Sequence, residues 1–186
     1  MGELVALKVI KNKEKFHVQG KVEVKVLKHL KKCDVDENYH VIHIKDSFNF
    51  RNHLIITFEL LSINLYEFLK GNSFQGLSSG LIRRFAIQLL QGLRLMEKLE
   101  IIHCDLKPEN VLLKKANKSG IKIIDLGSSC YADERIYTYI QSRFYRAPEI
   151  ILGIPYTTKI DMWSFGCIMA ELCRGYPIFP GESESE

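Results

Sequence analysis

Two kinds of hydrophobic pattern alternate along the chain and predict its secondary structure. Short apolar runs bounded by polar or turn residues indicate strands, and apolar residues spaced three or four apart indicate helices. The runs predict strands at residues 4–10, 41–48, 54–60, 101–103, 111–113 and 121–124. The helical spacing predicts helices at residues 16–32, 65–69, 81–96 and 159–173. Residues 127–146 show neither pattern and are expected to be irregular.

The order of these segments predicts two unequal lobes. Residues 1–60 contain mainly strands and one helix, and residues 61–186 contain mainly helices with short strands between them. Elements segregated in this way favour an α+β protein. The glycine-flanked sequence at 71–78 lacks the lysine of a Walker A loop and follows a helix, so we interpret it as an ordinary loop.

The composition is that of a globular protein and excludes several functional classes. Hydrophobic residues make up 46% of the 186 residues and charged residues 26%, close to the average for soluble domains. No apolar run approaches the roughly 18 residues that span a bilayer, and no secretory signal opens the chain. Five cysteines without a C-x-x-C spacing favour a reducing compartment. We therefore expect a protein of the cytoplasm or nucleus with no membrane partner.

The positive charge is concentrated at the start of the chain. Residues 1–32 carry nine lysines against three glutamates, whereas the net charge of the whole chain is only +4. Such a segment could bind nucleic acid or acidic lipid. It lacks the interleaved aromatic residues of a stacking platform, so we favour a solvated helix face and expect no direct nucleic-acid binding.

His40 and His43 are interpreted as strand residues rather than metal ligands, because no further ligand lies at a suitable spacing.

Candidate chemistry is concentrated in the sequence HCDLKPEN at 103–110, between two predicted strands. Asp105 can accept a proton from a hydroxyl, and Lys107 can neutralise a phosphoryl group in transfer. Asn110 can offer its carbonyl oxygen to Mg²⁺. His103 follows two isoleucines and is expected to be a packed core residue.

Three further motifs follow the order of the protein-kinase signature. Lys8 lies on a predicted strand in the sequence VALK, and Glu23 lies on the next predicted helix, where the two could pair. Asp125 begins the sequence DLG at the end of a strand, and the sequence APE closes the irregular stretch at 147–149.

The chain resembles the dual-specificity tyrosine-regulated kinase (DYRK) family, in the CMGC group of protein kinases. The resemblance rests on Cys104 within HCD, on YTYIQSRFYRAPE at 137–149, and on FRNH at 50–53 and FELLS at 58–62. The homeodomain-interacting kinases are the closest alternative, although Cys104 and the sequence YTY fit them less well. The resemblance implies a two-lobed kinase fold that binds ATP and Mg²⁺.

The resemblance also implies a role for each matching residue. Six positions are implied to bind the nucleotide: Lys8 at the phosphates, Glu23 orienting Lys8, Phe58 as gatekeeper, Glu59 and Leu61 at adenine, and Asn64 at the ribose. Asp105 is implied to be the catalytic base, Lys107 the phosphate clamp and Ser142 their shared partner. Asn110 and Asp125 are implied to bind Mg²⁺, and Asp161 to brace the catalytic loop.

The regulation and substrates of the family are implied as well. Tyr139 matches the tyrosine that these kinases phosphorylate on themselves. Arg143 and Arg146 are the expected partners of its phosphate, because Cys104 replaces the arginine that most kinases use. The other substrates are expected to be protein Ser/Thr residues followed by proline.

Two departures from the family pattern leave a second hypothesis open. Leu126 replaces the phenylalanine of the Asp-Phe-Gly motif. The Gly-rich loop that covers the ATP phosphates is not found before Val5, and further helices are expected after Gly181, so we interpret the chain as a partial kinase domain. It is therefore either an active kinase or an inert fragment that acts as a binding module.

Overall fold

The computed structural model describes residues 2–135 and 137–183. Its first part is an antiparallel sheet of three strands, β1 (Val5–Val9), β2 (Ile44–Phe50) and β3 (His53–Glu59), with β3 in the centre. Helix α1 (Glu14–Cys33) packs against this sheet. The α+β class predicted from the sequence is confirmed.

Helix α1 forms because its sequence buries one face and exposes the other. Val26, Leu27 and Leu30 are completely buried, whereas the neighbouring Lys25 and Lys28 are exposed. Gly20 lies where the helix approaches β3, and a Cβ added there would meet the Leu54 side chain at 3.0 Å. The glycine therefore allows the close contact that fixes the distance of α1 from the sheet.

The second part is mainly helical. Its helices are α2 (Leu65–Gly71), α3 (Ser79–Lys98), α4 (Pro148–Ile151) and α5 (Lys159–Arg174). The Asn64 side chain accepts a hydrogen bond from the Glu67 backbone (2.8 Å) and so caps α2. Helices α3 and α5 pack against each other around Phe85, Leu89, Ile168 and Leu172.

Two short strand pairs position the loops between these helices. Strand β4 (Ile101–Ile102) pairs with β7 (Cys130–Tyr131), and β5 (Val111–Leu113) pairs with β6 (Ile121–Ile123), both antiparallel. Their pairing brings residues 103–110 close to residues 124–129 in space. None of the helices among the described residues is long and apolar enough to cross a membrane.

Three sequence-based assignments were wrong. His40 and His43, interpreted as strand residues, both precede β2 and lie in no strand of the described residues. The strand predicted to begin at Val41 begins at Ile44, because His40 has a left-handed backbone (φ 57°) and Val41 forms an isolated parallel bridge to Ile123 instead. The stretch 127–146 is not wholly irregular, since it contains β7 and a short 3₁₀ helix, Arg143–Tyr145. The prediction that His103 is a core residue is confirmed by its complete burial.

Candidate active site

A cleft of about 350 Å³ lies between the three-stranded sheet and the strand pair β5–β6. Seven residues that the sequence identified as candidates line it: Lys8, Glu23, Phe58, Glu59, Leu61, Asn110 and Asp125. The walls also include apolar residues that sequence reasoning missed: Ala6, Ile42, Leu112 and Ile124. A mainly apolar cleft with a few charged groups at one end is typical of small-molecule sites.

Lys8 lies between two carboxylates in this cleft. Its Nζ is 2.7 Å from Oε1 of Glu23 and 2.6 Å from Oδ1 of Asp125. Burial lowers the pKa of Lys8, but the two neighbouring carboxylates outweigh it and raise the pKa above its usual value. The structure thus brings together three residues from β1, α1 and the loop after β6.

The two carboxylates differ because their surroundings differ. Glu23 is buried, and burial raises its pKa despite the adjacent Lys8. Asp125 is nearly half exposed, so its burial is outweighed by Lys8 and its pKa is lowered. Asp125 has a left-handed backbone (φ 60°) that lets its carboxylate accept from the Gly127 backbone at 3.3 Å.

A second cluster joins the loop after β4 to the segment before α4. Oδ1 of Asp105 accepts a hydrogen bond from the Ser142 hydroxyl at 2.6 Å, and its Oδ2 is 2.9 Å from Nζ of Lys107. Nζ of Lys107 also donates to the Ser142 hydroxyl at 2.9 Å. The three side chains therefore form a closed triangle that contacts both oxygens of Asp105 and leaves the carboxylate partly exposed.

Asn110 and Asp125 are suited to bind a hard cation. Nδ2 of Asn110 donates to the backbone oxygen of Asp105 at 2.8 Å, which fixes the amide and leaves its carbonyl oxygen available. Within residues 2–135 and 137–183 no three His, Cys, Asp or Glu side chains form a metal-binding group. Mg²⁺ usually keeps several waters and binds through one or two protein oxygens plus substrate phosphates, so the residues present fit it.

Asp161 on α5 holds the start of the loop at 103–110 through its backbone. Its carboxylate accepts hydrogen bonds from the backbone of His103 (2.7 Å) and of Cys104 (3.1 Å). Nε2 of His103 in turn lies 2.9 Å from the backbone oxygen of Ile124. These contacts connect α5, the loop at 103–110 and the segment that carries Asp125, so they set the relative position of the two charged clusters.

The structure separates the two arginines that the sequence grouped with Tyr139. The Arg146 guanidinium lies over the Tyr139 ring, with 4.2 Å from Cζ to the centroid. Nη1 of Arg143 donates instead to the backbone oxygen of Glu182. Tyr139 is exposed. The role of Arg143 as a phosphate partner stays a prediction.

At the far end of the cleft the rim is formed by the end of β3 and the segment that follows it. Phe58, Glu59 and Leu61 line the cleft there, whereas the side-chain oxygen of Asn64 is occupied by the cap of α2. Sequence reasoning missed Lys122, whose completely buried ammonium contacts the Glu59 carboxylate. A lysine inside an apolar strand was the only available signal for it.

The fold and the two charged clusters define a protein kinase domain. The chain matches the protein kinase domain over residues 1–186, and it belongs to that family.

The chain is similar in sequence to several curated protein kinases. The chain is 58% identical over 184 residues to the human dual specificity tyrosine-phosphorylation-regulated kinase 4. The aligned residues make up 99% of this chain and 35% of that protein. It is 60% identical over 184 residues to the kinase mbk-2 of Caenorhabditis elegans, covering 99% of this chain and 22% of mbk-2. Over 185 residues it is 56% identical to the probable serine/threonine-protein kinase dyrk2 of Dictyostelium discoideum, covering 100% of this chain and 20% of that protein. The predicted resemblance is confirmed, and the chain spans about a third or less of these relatives.

Proposed function

We propose that this chain is the catalytic part of a protein kinase that transfers the γ-phosphoryl group of ATP to protein Ser and Thr hydroxyls with Mg²⁺. The observation that carries the proposal is the triangle of Asp105, Lys107 and Ser142 next to the Lys8–Glu23 pair. A carboxylate held beside an ammonium suits proton transfer next to a phosphoryl group.

Each side chain of the two clusters has a separate role in the proposed transfer. Lys8 holds the nucleotide phosphates and is itself held by Glu23. Asn110 and Asp125 hold the Mg²⁺, which supplies positive charge at the transferring oxygens. Asp105, whose two oxygens are held by Ser142 and Lys107, takes the proton of the attacking hydroxyl. Lys107 shifts from Asp105 towards the phosphoryl group as negative charge develops there.

The proposal extends to regulation and specificity. Tyr139 is phosphorylated by the chain itself, and the cation over its ring, Arg146, is the first partner for the new charge. The resemblance of residues 137–149 to the family supports a preference for proline after the target residue. Five free cysteines support a reducing location in the cytoplasm or nucleus.

The test is mass spectrometry of the expressed chain after incubation with ATP and Mg²⁺, beside the Asp105→Asn variant. Asp133→Asn, an exposed substitution of the same kind, is the matched control. We expect phosphate on Tyr139 and on a peptide containing Ser-Pro in the wild type and the control, and none in Asp105→Asn. A wild-type chain that phosphorylates neither would overturn the proposed activity.

A further inference from the structure

Lys122 is a buried cation outside the two charged clusters of the active site. It lies on β6, opposite Leu112 of β5, and only 1% of its surface is exposed. A buried ammonium is costly unless it is paired and hydrogen-bonded. Its partners are Oε2 of Glu37, at 2.7 Å, and Oε1 of Glu59.

One of these partners belongs to the cleft and the other does not. Glu59 ends β3 and lines the cleft together with Phe58 and Leu61. Lys122 and Glu37 are not among the lining residues. The ion pair therefore ties the carboxylate of a cleft-lining residue to Lys122 on β6, which does not itself line the cleft.

The contact continues beyond Glu37 to the end of helix α1. Oε1 of Glu37 lies 3.7 Å from Nδ1 of His43, and Nε2 of His43 lies 3.3 Å from Oδ2 of the buried Asp34. Asp34 follows the last residue of α1 and also accepts from the Asn38 backbone at 2.8 Å. A continuous polar path thus joins the loop after α1 to the cleft rim.

The electrostatics agree with a tightly held ammonium. Burial lowers the pKa of Lys122, but the hydrogen bonds and charges of Glu37 and Glu59 outweigh burial and raise it. The hydrogen bond from Lys122 is also the main reason that the pKa of Glu37 is lowered. Loss of the ammonium would leave two neighbouring carboxylates that repel each other.

We propose that Lys122 is a positioning residue that sets the adenine end of the cleft by holding the Glu59 carboxylate out of it, with Glu37 completing the clamp. The inference rests on the proposed function, because it assigns the rim at Glu59 to the base of the nucleotide. The phosphates lie at the other end, at Lys8. Removal of Lys122 should therefore weaken contacts to the base and leave contacts to the phosphates.

The experiment measures binding to the 186-residue chain by isothermal titration calorimetry with two probes, ATP and inorganic tripolyphosphate, each with Mg²⁺. For Lys122→Met we expect ATP binding at least about fivefold weaker, from the carboxylate left unpaired, with tripolyphosphate binding unchanged. Lys122→Arg keeps the charge and should restore most of the ATP affinity. Lys118→Met removes an exposed lysine nearby and is the control.

The outcomes separate the two proposals. Glu37→Gln changes a half-exposed side chain and should weaken ATP binding by a smaller factor than Lys122→Met does. If Lys122→Met does not fold, the result for Glu37→Gln tests the inference instead. Wild-type protein that binds ATP while Lys122→Met or Glu37→Gln binds it equally well would overturn this inference alone. An equal loss for both probes would show a general structural role and would also overturn it. Wild-type protein that binds no ATP would overturn the proposed function, and this inference with it.

Discussion

At the scale of single residues, the cleft depends on one lysine shared by two unlike carboxylates. Glu23 is buried on α1, and Asp125 is nearly half exposed at the end of a strand, yet both lie within 2.7 Å of Nζ of Lys8. Coulombic attraction in a medium of intermediate polarity is large enough to compete with burial. The more exposed carboxylate, Asp125, therefore has the lowered pKa, and the buried Glu23 has the raised pKa.

This difference predicts the order in which the two carboxyls titrate. The pKa of Asp125 should lie below the usual 3.8 and that of Glu23 above the usual 4.5. Asp125 then stabilises the fold above pH 3.8, and this contribution is lost as the pH falls through its lowered pKa. The contribution of Glu23 is fully present below pH 4.5 and is lost as the pH rises through its raised pKa.

Carboxyl-carbon NMR titration measures both values directly. In Lys8→Met both pKa values should rise, since the attractive charge is gone, whereas Lys11→Met, which removes an exposed lysine, should leave them unchanged. Finding Asp125 to titrate above Glu23 in the wild type would contradict the prediction.

Asp161 allows a second prediction at this scale. Its carboxylate is buried and accepts two backbone N–H groups. In Asp161→Asn one acceptor becomes an NH₂ group that faces a donor, so an N–H is left unsatisfied. We expect the free energy of unfolding to fall by about 1–3 kcal/mol, measured by urea denaturation.

Asp36→Asn, at an exposed position, is the control for this measurement and should change stability by less than about 0.5 kcal/mol. Equal stability of Asp161→Asn and the wild type would show that the two backbone contacts contribute nothing. Asp161→Asn should also lower ATP-dependent phosphorylation, because the hydrogen bonds from the backbone of His103 and Cys104 to Asp161 hold the loop that carries Asp105 in place.

At the scale of elements, the segment before α4 is anchored to α5 by one buried pair. The Tyr145 hydroxyl donates to Oε2 of Glu171 at 2.6 Å, and both residues are buried. Burial raises the pKa of both groups, and the carboxylate raises that of Tyr145 further. Tyr145 lies three residues after Ser142. The contact with Glu171 therefore helps to fix the position of Ser142, which donates its hydrogen bond to Asp105.

The pair leads to a third prediction. Tyr145→Phe keeps the ring and leaves the Glu171 carboxylate without its donor, so the free energy of unfolding should fall by about 1–3 kcal/mol. Thermal denaturation at pH 7 measures it, with Tyr66→Phe on the partly exposed face of α2 as the control. A loss of stability that Tyr66→Phe reproduces would argue against a specific anchor.

The elements also show what the sequence could and could not predict. Long helices with clear periodicity, such as α3 and α5, were found to within two residues at each end. Strand β7 was missed because its two residues are defined only by pairing with Ile101–Ile102. The start of β2 was misplaced because Val41 is apolar but pairs in another sheet region, with Ile123.

At the scale of the whole molecule, the site is assembled from segments far apart in the chain. The charged residues could be predicted because their chemistry leaves short motifs, such as HCDLKPEN at 103–110. The apolar walls could not, because Ala6, Ile42 and Leu112 look like ordinary core residues until packing places them around one cleft. The partners of Lys122 could not be predicted either, since Glu59 is 63 residues away and Glu37 is 85 residues away.

The outer face of the three-stranded sheet exposes several apolar side chains. Val5, Leu7 and Val9 alternate with inward residues on β1 and are exposed, as are Phe48 and Phe50 on β2. Val9 and Phe48 both lie opposite Ile55 of β3, so they form one continuous row. Contiguous apolar surface and a strand paired on one side favour association between copies.

The final prediction is that this face drives self-association of the 186-residue chain. Burial of a phenylalanine side chain contributes about 1.5–3 kcal/mol, so Phe48→Ser should weaken association by about tenfold or more. Sedimentation velocity across a concentration series measures it. Ile87→Ser removes an apolar residue of α3 that is at least as exposed as Phe48, and it should leave association unchanged because it lies away from the sheet. If Ile87→Ser disperses the protein and Phe48→Ser does not, the helical surface is the one that associates, and the row across the sheet is not.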